Sequence, residues 1–119
     1  MSQPPYANAV LDDKDLQEKL TAINPKYGPW VTRVAGEVWG LPLIDQKTKA
    51  LIALTSDVVN QSPLGGPGSA FAAHVHISLA QGATREEIEE LFLFLTVYAG
   101  FNKMVGCFAA LNELLDDKS

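Results

Sequence analysis

The chain has 119 residues, enough for one domain with a modest hydrophobic core. It is 47% hydrophobic and 19% charged, which is too apolar for a disordered protein, and its net charge of −5 without a basic stripe argues against nucleic-acid binding. Its one cysteine, Cys107, excludes an intramolecular disulfide and a cysteine-built redox or zinc site. No apolar run is long enough to span a membrane, and the first residues do not resemble an export signal, so we expect a cytoplasmic protein.

The apolar spacing predicts six helices and no strand, within a single domain over residues 12–119 that follows an N-terminal arm over residues 1–11. The expected helices are capped by Asp12 or Asp13, Asn24, Asp45 and Thr84; the fourth runs from about Ser69 to Gln81, and the sixth begins near Asn102. Between the third and fourth helices lies SPLGGPGS, residues 62–69, which lacks the ending of a phosphate loop. We interpret it as a flexible connection, an insertion or a lid.

The turn between the fourth and fifth helices is the most distinct local signal. Gly82 follows an apolar run, where a helix end favours a residue that tolerates positive φ, and Thr84 with Glu87 forms a capping box. The fifth helix is apolar on nearly all faces from Leu91 to Ala99. We therefore expect six helices around this central hairpin, with part of the fifth helix covered by another copy of the chain.

The two histidines lie on the fourth helix, whose core stripe is Phe71, Val75 and Leu79. At 100° per residue His74 falls at the margin of that stripe, and His76 lies about 160° away from His74 around the helix. The two rings therefore cannot bind one metal from within this helix, and no metal site is predicted.

Three segments resemble a known family: HVHISLAQGATREEIEE at 74–90, VYAG at 97–100 and GEVWGLPLIDQKTK at 36–49. They look like the carboxymuconolactone decarboxylase and alkylhydroperoxidase D superfamily, over about residues 30 to 112. The resemblance implies an all-α, alkylhydroperoxidase D-like fold. It also implies trimers or hexamers, with a pocket lined by the helix bearing His74 and by neighbouring subunits.

The peroxidase branch of this superfamily uses two cysteines, a histidine and a glutamate. Here the cysteine positions hold Pro67 and Ala70 and the glutamate position holds Ala50, so thiol peroxidase activity is not expected. The decarboxylase branch removes CO2 from 4-carboxymuconolactone in aromatic catabolism, without metal or organic cofactor. The family often has arginines two residues before and two residues after the histidine. In this chain Ala72 and His76 occupy those positions, so two side chains that could bind a substrate carboxylate are absent.

His74 is the candidate for proton transfer, because imidazole is the side chain that changes protonation near neutral pH. The alternative is a hydrogen-bonded core histidine. Glu37, in the matching GEVWG segment, is a second candidate acid or base, and the alternative is a surface glutamate. Asp57, seven residues after Ala50 on the same helix face, is a remote candidate for a substitute carboxylate.

Four residues are candidates for substrate binding. Lys49 or Arg33 could bind a carboxylate, Trp39 could wall an apolar pocket, and His76 occupies an arginine position of the family; each has a solvated or core role as its alternative. The resulting hypothesis is a cofactor-independent decarboxylase acting on a small carboxylated lactone or a β-keto-type acid. The alternatives are a lactone isomerase or hydrolase that uses the same histidine, and a catalytically silent, oligomeric small-molecule-binding protein.

Overall fold

A computed structural model describes residues 3–116 of the chain, so residues 1–2 of the expected arm and residues 117–119 lie outside the described part. Over this range the protein is all-α, as predicted, with six helices and no strand. The helices are α1 (Lys14–Ile23), α2 (Tyr27–Trp39), α3 (Gln46–Val59), α4 (Ala70–Ala80), α5 (Arg85–Ala99) and α6 (Phe101–Leu115). None of the helices within residues 3–116 is both long and apolar enough to cross a membrane.

Most of the predicted caps are confirmed. The side chains of Asp13 and Asp45 each accept a hydrogen bond from the backbone of the first helical turn that follows. Ser69, near which the fourth helix was expected to begin, caps α4 in the same way. Thr84 and Glu87 form the reciprocal capping box. Gly82 ends the turn after α4 with φ of 102°, a conformation that favours glycine.

The predicted start of α2 was wrong by two residues. Asn24 ends α1, and its Oδ1 accepts hydrogen bonds from the backbone N–H groups of Lys26 and Tyr27 at 2.9 Å each. These bonds hold a turn over residues 24–27, so that regular helix begins only at Tyr27. Asn24 therefore caps a turn. Pro25, which would be the first helical residue after a cap at Asn24, lies in that turn and not in α2.

The helices pack most closely in sequential pairs, α1 with α2, α3 with α4 and α5 with α6, and α3 also contacts α5 and α6. Thus α4 packs most closely against α3, and not against α5 across the Gly82 turn. The four helices α3, α4, α5 and α6 share one hydrophobic core. Its fully buried large side chains include Leu54, Val58, Phe71, Val75, Ile88, Phe92, Met104 and Leu111. At its centre Phe92 stacks on Phe71 at 6.0 Å between ring centroids and meets Phe108 edge-on at 5.5 Å.

The α1–α2 hairpin is held by close backbone approach. A Cβ atom added at Gly28 would lie 2.4 Å from Thr21 Oγ1, and one added at Gly36 would lie 2.4 Å from Leu11 Cδ2. Only these two glycines are buried in α2, and no residue of α1 is. The absence of a side chain at both positions is what lets α2 lie against α1 and the chain before it.

The N-terminal arm is tied to the rest of the protein by side-chain amides. The Gln81 amide accepts from Tyr6 N at 2.9 Å and donates to Tyr6 O at 2.8 Å. Gln46 Oε1 accepts from Ala9 N at 2.8 Å, and Asn8 Nδ2 donates to Gly36 O at 3.0 Å. The arm thereby links α2, α3 and α4.

The loop between α3 and α4 is anchored at both ends. Ser62 N donates to Asp57 O at 2.9 Å, and Ser69 Oγ donates to Pro63 O at 2.8 Å. Between these bonds Leu64 packs against the main core. The loop therefore stays against the ends of the two helices it joins.

The apolar surface of α5 divides into two parts. Ile88, Phe92 and Leu95 are buried, whereas Leu93, Phe94, Val97 and Tyr98 are 60–79% exposed. Tyr98 points outward, and its ring centroid lies 5.2 Å from that of Phe94. A second exposed row follows α2 through Tyr27, Trp30, Val34 and Val38.

Candidate functional site: the Asp57–His74 pair

Helices α3 and α4 bring one carboxylate and one imidazole into direct contact. Asp57 Oδ2 and His74 Nδ1 are hydrogen-bonded across the two helices. The Asp57 side chain is 7% exposed and that of His74 is 25% exposed. The carboxylate is therefore buried, and the imidazole connects it to the surface.

The positions of both residues follow from their helices. Asp57 lies on the buried face of α3 together with Ala50, Leu54 and Val58. His74 lies beside Phe71 and Val75 on α4, at the edge of the buried face, as its angular position predicted. The sequence thus places an acidic residue where the α3 face otherwise carries apolar side chains, and α4 supplies its partner.

The pairing determines what the imidazole can do. Burial of a carboxylate is unfavourable unless it is paired or hydrogen-bonded, and within residues 3–116 the only side chain that bonds to Asp57 is His74. An ionised carboxylate only accepts hydrogen bonds, so His74 must carry its proton on Nδ1. The other ring nitrogen, Nε2, is then free to exchange a proton with a bound molecule.

Neighbouring backbone contacts hold the two residues in register. Ser78 Oγ donates to His74 O at 2.7 Å, and Ser78 itself is fully buried. On the other side, the Ser62 N–H that anchors the loop donates to the Asp57 carbonyl. The pair therefore lies between a buried part of α4 and the anchored start of the loop.

His76 is exposed and lies on another face of α4, so it does not join the pair. Within residues 3–116 no group of three or more His, Cys, Asp or Glu side chains is arranged to hold a metal ion. Cys107 is buried in the core, and burial raises the pKa of its thiol.

Glu37 and Arg33 lie in a different place from His74. They line an open cleft of about 550 Å³ between α1 and α2, and neither Asp57 nor His74 lines it. The structure therefore does not bring these two candidates together with the imidazole in one cavity.

Lys49 and Trp39 connect α3 to the end of α2. Lys49 Nζ donates to the carbonyl oxygens of Val38 at 3.2 Å, Trp39 at 2.9 Å and Leu41 at 2.6 Å. These bonds use all three hydrogens of the ammonium group. Trp39 packs against a small cluster of Ala9, Ala50 and Ile77, so both side chains are engaged in holding helices together.

Asp57 was only a remote candidate from the sequence, although it is the partner of His74 in the structure. The sequence does mark this residue, because its acidic side chain lies on the same helix face as the apolar stripe of α3, one position before Val58 and three after Leu54. A charged residue at a buried helix position needs a partner. The spacing alone does not reveal which partner, because that depends on how α4 packs against α3.

With this geometry, the chain can be compared with known proteins. The model of the carboxymuconolactone decarboxylase family matches residues 25–113, a range that contains α2 to α5, most of α6 and the Asp57–His74 pair. The chain belongs to the carboxymuconolactone decarboxylase family. A curated relative, the 4-carboxymuconolactone decarboxylase of Acinetobacter baylyi, is 27% identical over an alignment of 95 residues that covers 76% of this chain and 67% of the relative. No solved structure gives a significant match.

Proposed function

We propose that this member of the carboxymuconolactone decarboxylase family is a cofactor-independent decarboxylase of a small carboxylated lactone or β-keto-type acid. His74 transfers the proton, and Asp57 positions its imidazole ring. The observation that carries the proposal is the hydrogen bond from a partly exposed imidazole to a buried carboxylate. Family membership and the name of the Acinetobacter relative support the reaction class.

The reaction would proceed by moving the electrons of the breaking C–C bond into the conjugated carbonyl group. CO2 leaves, and the electron pair resides on a dienolate, whose negative charge has to be stabilised. The Nε2–H of the His74 imidazolium then donates its proton to the substrate carbon. The neutral imidazole recovers a proton from water, which restores the starting state.

Asp57 would act through His74 as a positioning residue. The hydrogen bond between the two side chains fixes the ring orientation, so that Nε2 points away from α3. The loop between α3 and α4, anchored at Ser62 and Ser69, keeps this part of α3 close to α4.

We further propose that a second copy of the chain covers the exposed apolar face of α5, formed by Leu93, Phe94, Val97 and Tyr98. Apolar patches of this kind on a small domain are characteristic of association surfaces. Sedimentation at micromolar concentration should show a trimer, a hexamer or at least a stable dimer. A monomer would contradict this part of the proposal and leave the assignment of His74 untouched.

The test of the function is CO2 release from a panel of carboxylated lactones and β-keto acids. We expect saturable release by the native protein and a loss of about 10²- to 10⁴-fold in turnover for His74→Gln, in a protein that remains folded. His76→Gln is the matched control and should retain turnover, because its ring lies on another face of the helix. Ring opening or isomerisation without CO2 release would favour a lactone isomerase or hydrolase, and binding without turnover a silent binding protein.

A separate measurement tests Asp57. In Asp57→Asn the carboxamide keeps the shape but can turn its NH2 group toward Nδ1, so the imidazole is no longer held by an acceptor alone. Turnover should fall through kcat, with KM little changed and the protein still folded. Loss of the fold together with turnover would indicate a purely structural role for Asp57.

A further inference from the structure

We infer that the cleft between α1 and α2 is a second binding site, for a small carboxylic acid that also carries a hydrogen-bond donor and an apolar body. The cleft is lined by Leu11, Gln17, Thr21, Pro29, Thr32, Arg33 and Glu37. Its volume of about 550 Å³ is within the range of small-molecule sites. This site is independent of the function proposed for the Asp57–His74 pair.

The cleft has a fixed shape because α2 is in close contact with α1 near one end of the cleft and with the chain before α1 near the other. Gly28 lies against Thr21 and Gly36 lies against Leu11, each without room for a side chain. Thr32 is halfway between the two glycines, on the same face of the helix. The two helices therefore cannot close further over the cleft without a backbone shift.

Arg33 and Glu37 give the cleft two opposite charges. They are four residues apart on α2, a spacing at which an ion pair commonly forms. Within residues 3–116, however, neither side chain makes an ion pair or a hydrogen bond, with the other or with any third residue. Arg33 is thus available to bind a carboxylate, and Glu37 to accept a hydrogen bond from a hydroxyl or amino group of the same ligand.

The cleft also has an apolar wall. Leu11 and Pro29 provide the contact for an apolar body.

The experiment uses 3-phenyllactate as the probe, with 3-phenylpropionate and 3-phenyl-1,2-propanediol as matched compounds that lack the hydroxyl and the carboxylate. Amide shifts in ¹H–¹⁵N NMR spectra of the full chain are followed up to about 10 mM of each compound, a range suited to weak binding. We expect saturable shifts at Gln17, Thr21 and Thr32 with 3-phenyllactate, and weaker binding of both other compounds. No shift at these amides would overturn the inference, as would shifts that cluster at His74.

Two variants sharpen the result. Arg33→Gln should weaken binding about 10-fold or more, whereas Lys26→Gln, the same charge change at the start of α2 and outside the cleft lining, should not. Equal weakening by both variants would mean that the acid is attracted by the overall charge of the protein and not bound by Arg33, and would overturn the inference.

Discussion

The α3–α6 body and the α1–α2 hairpin are stabilised in different ways. The body buries large side chains such as Phe71, Phe92 and Met104, whereas α1 and α2 bury only two glycines. The hairpin relies on close backbone contact and on hydrogen bonds from Gln46, Lys49 and Asn8. The Asp57–His74 pair lies in the body, where dense packing holds it in one geometry. The hairpin is packed less densely and leaves an open cleft.

The largest expected difference concerns the centre of the body. Phe92→Ala should lower the free energy of unfolding by about 3–5 kcal/mol, because the ring contacts two other aromatic rings and is fully buried. Val34→Ala, on the exposed row of α2, is the control and should change it by less than about 0.5 kcal/mol. Equal losses in chemical denaturation would mean that the outer row of α2 is as well packed as the core.

The next effect tests the hairpin. Gly28→Ala would place a Cβ 2.4 Å from Thr21 Oγ1 and 2.5 Å from the Thr21 backbone, so α1 must shift, at a cost of about 1–3 kcal/mol. Gly106→Ala on α6 is the matched control, since its Cβ would meet only Leu64 Cδ1 at 3.7 Å. That variant should be stabilised by about 0.5–1 kcal/mol. Hydrogen exchange should show the loss for Gly28→Ala confined to α1 and α2.

A smaller effect is expected at the junction of the two regions. Lys49→Met keeps the apolar stem but loses three hydrogen bonds to the end of α2, and stability should fall by about 1–2 kcal/mol. Lys19→Met, on the exposed side of α1, is the control. A raised KM with unchanged stability would instead assign Lys49 to substrate binding, the role that the sequence suggested.

The smallest effect is the pH dependence of two helix starts. The Thr48 N–H lowers the pKa of Asp45, and the Lys47 ammonium group lowers that of Glu87. A carboxyl whose pKa is lowered on folding stabilises the protein above its ordinary pKa, 3.8 for Asp45 and 4.5 for Glu87, and this stability is lost as the pH falls through the lowered value. Asp45→Asn and Glu87→Gln should therefore flatten the acid limb of the melting temperature, and an unchanged limb would refute the assignment.

The sequence predicted the elements of the fold well because their signals are local. The caps at Asp45 and Thr84 and the turn at Gly82 depend on a few neighbouring residues, and all are confirmed. The row of Trp30, Val34 and Val38 shows the limit of such signals. Its helical spacing is clear, yet these side chains are 44–55% exposed, because the face of α2 that meets α1 is marked by glycines.

The candidate site was predictable only in part, for the same reason. His74 was found from its motif and its angular position, and its contact with Asp57 depends on the packing of α4 against α3, which no local pattern encodes. The separation of Arg33 and Glu37 from His74 depends likewise on where the hairpin lies. Local spacing assigns a side chain to a helix face, and tertiary packing decides which faces meet.

The single cysteine offers a way to watch the body open without changing the protein. Cys107 lies in the core that joins α3 to α6, and a thiol with a raised pKa reacts slowly even when a reagent reaches it. Modification must therefore wait until α6 separates from its neighbours. The labelling rate of the unaltered chain, followed by mass spectrometry, would measure how often that separation occurs, and its slowing by a bound lactone would report binding at the site without any turnover.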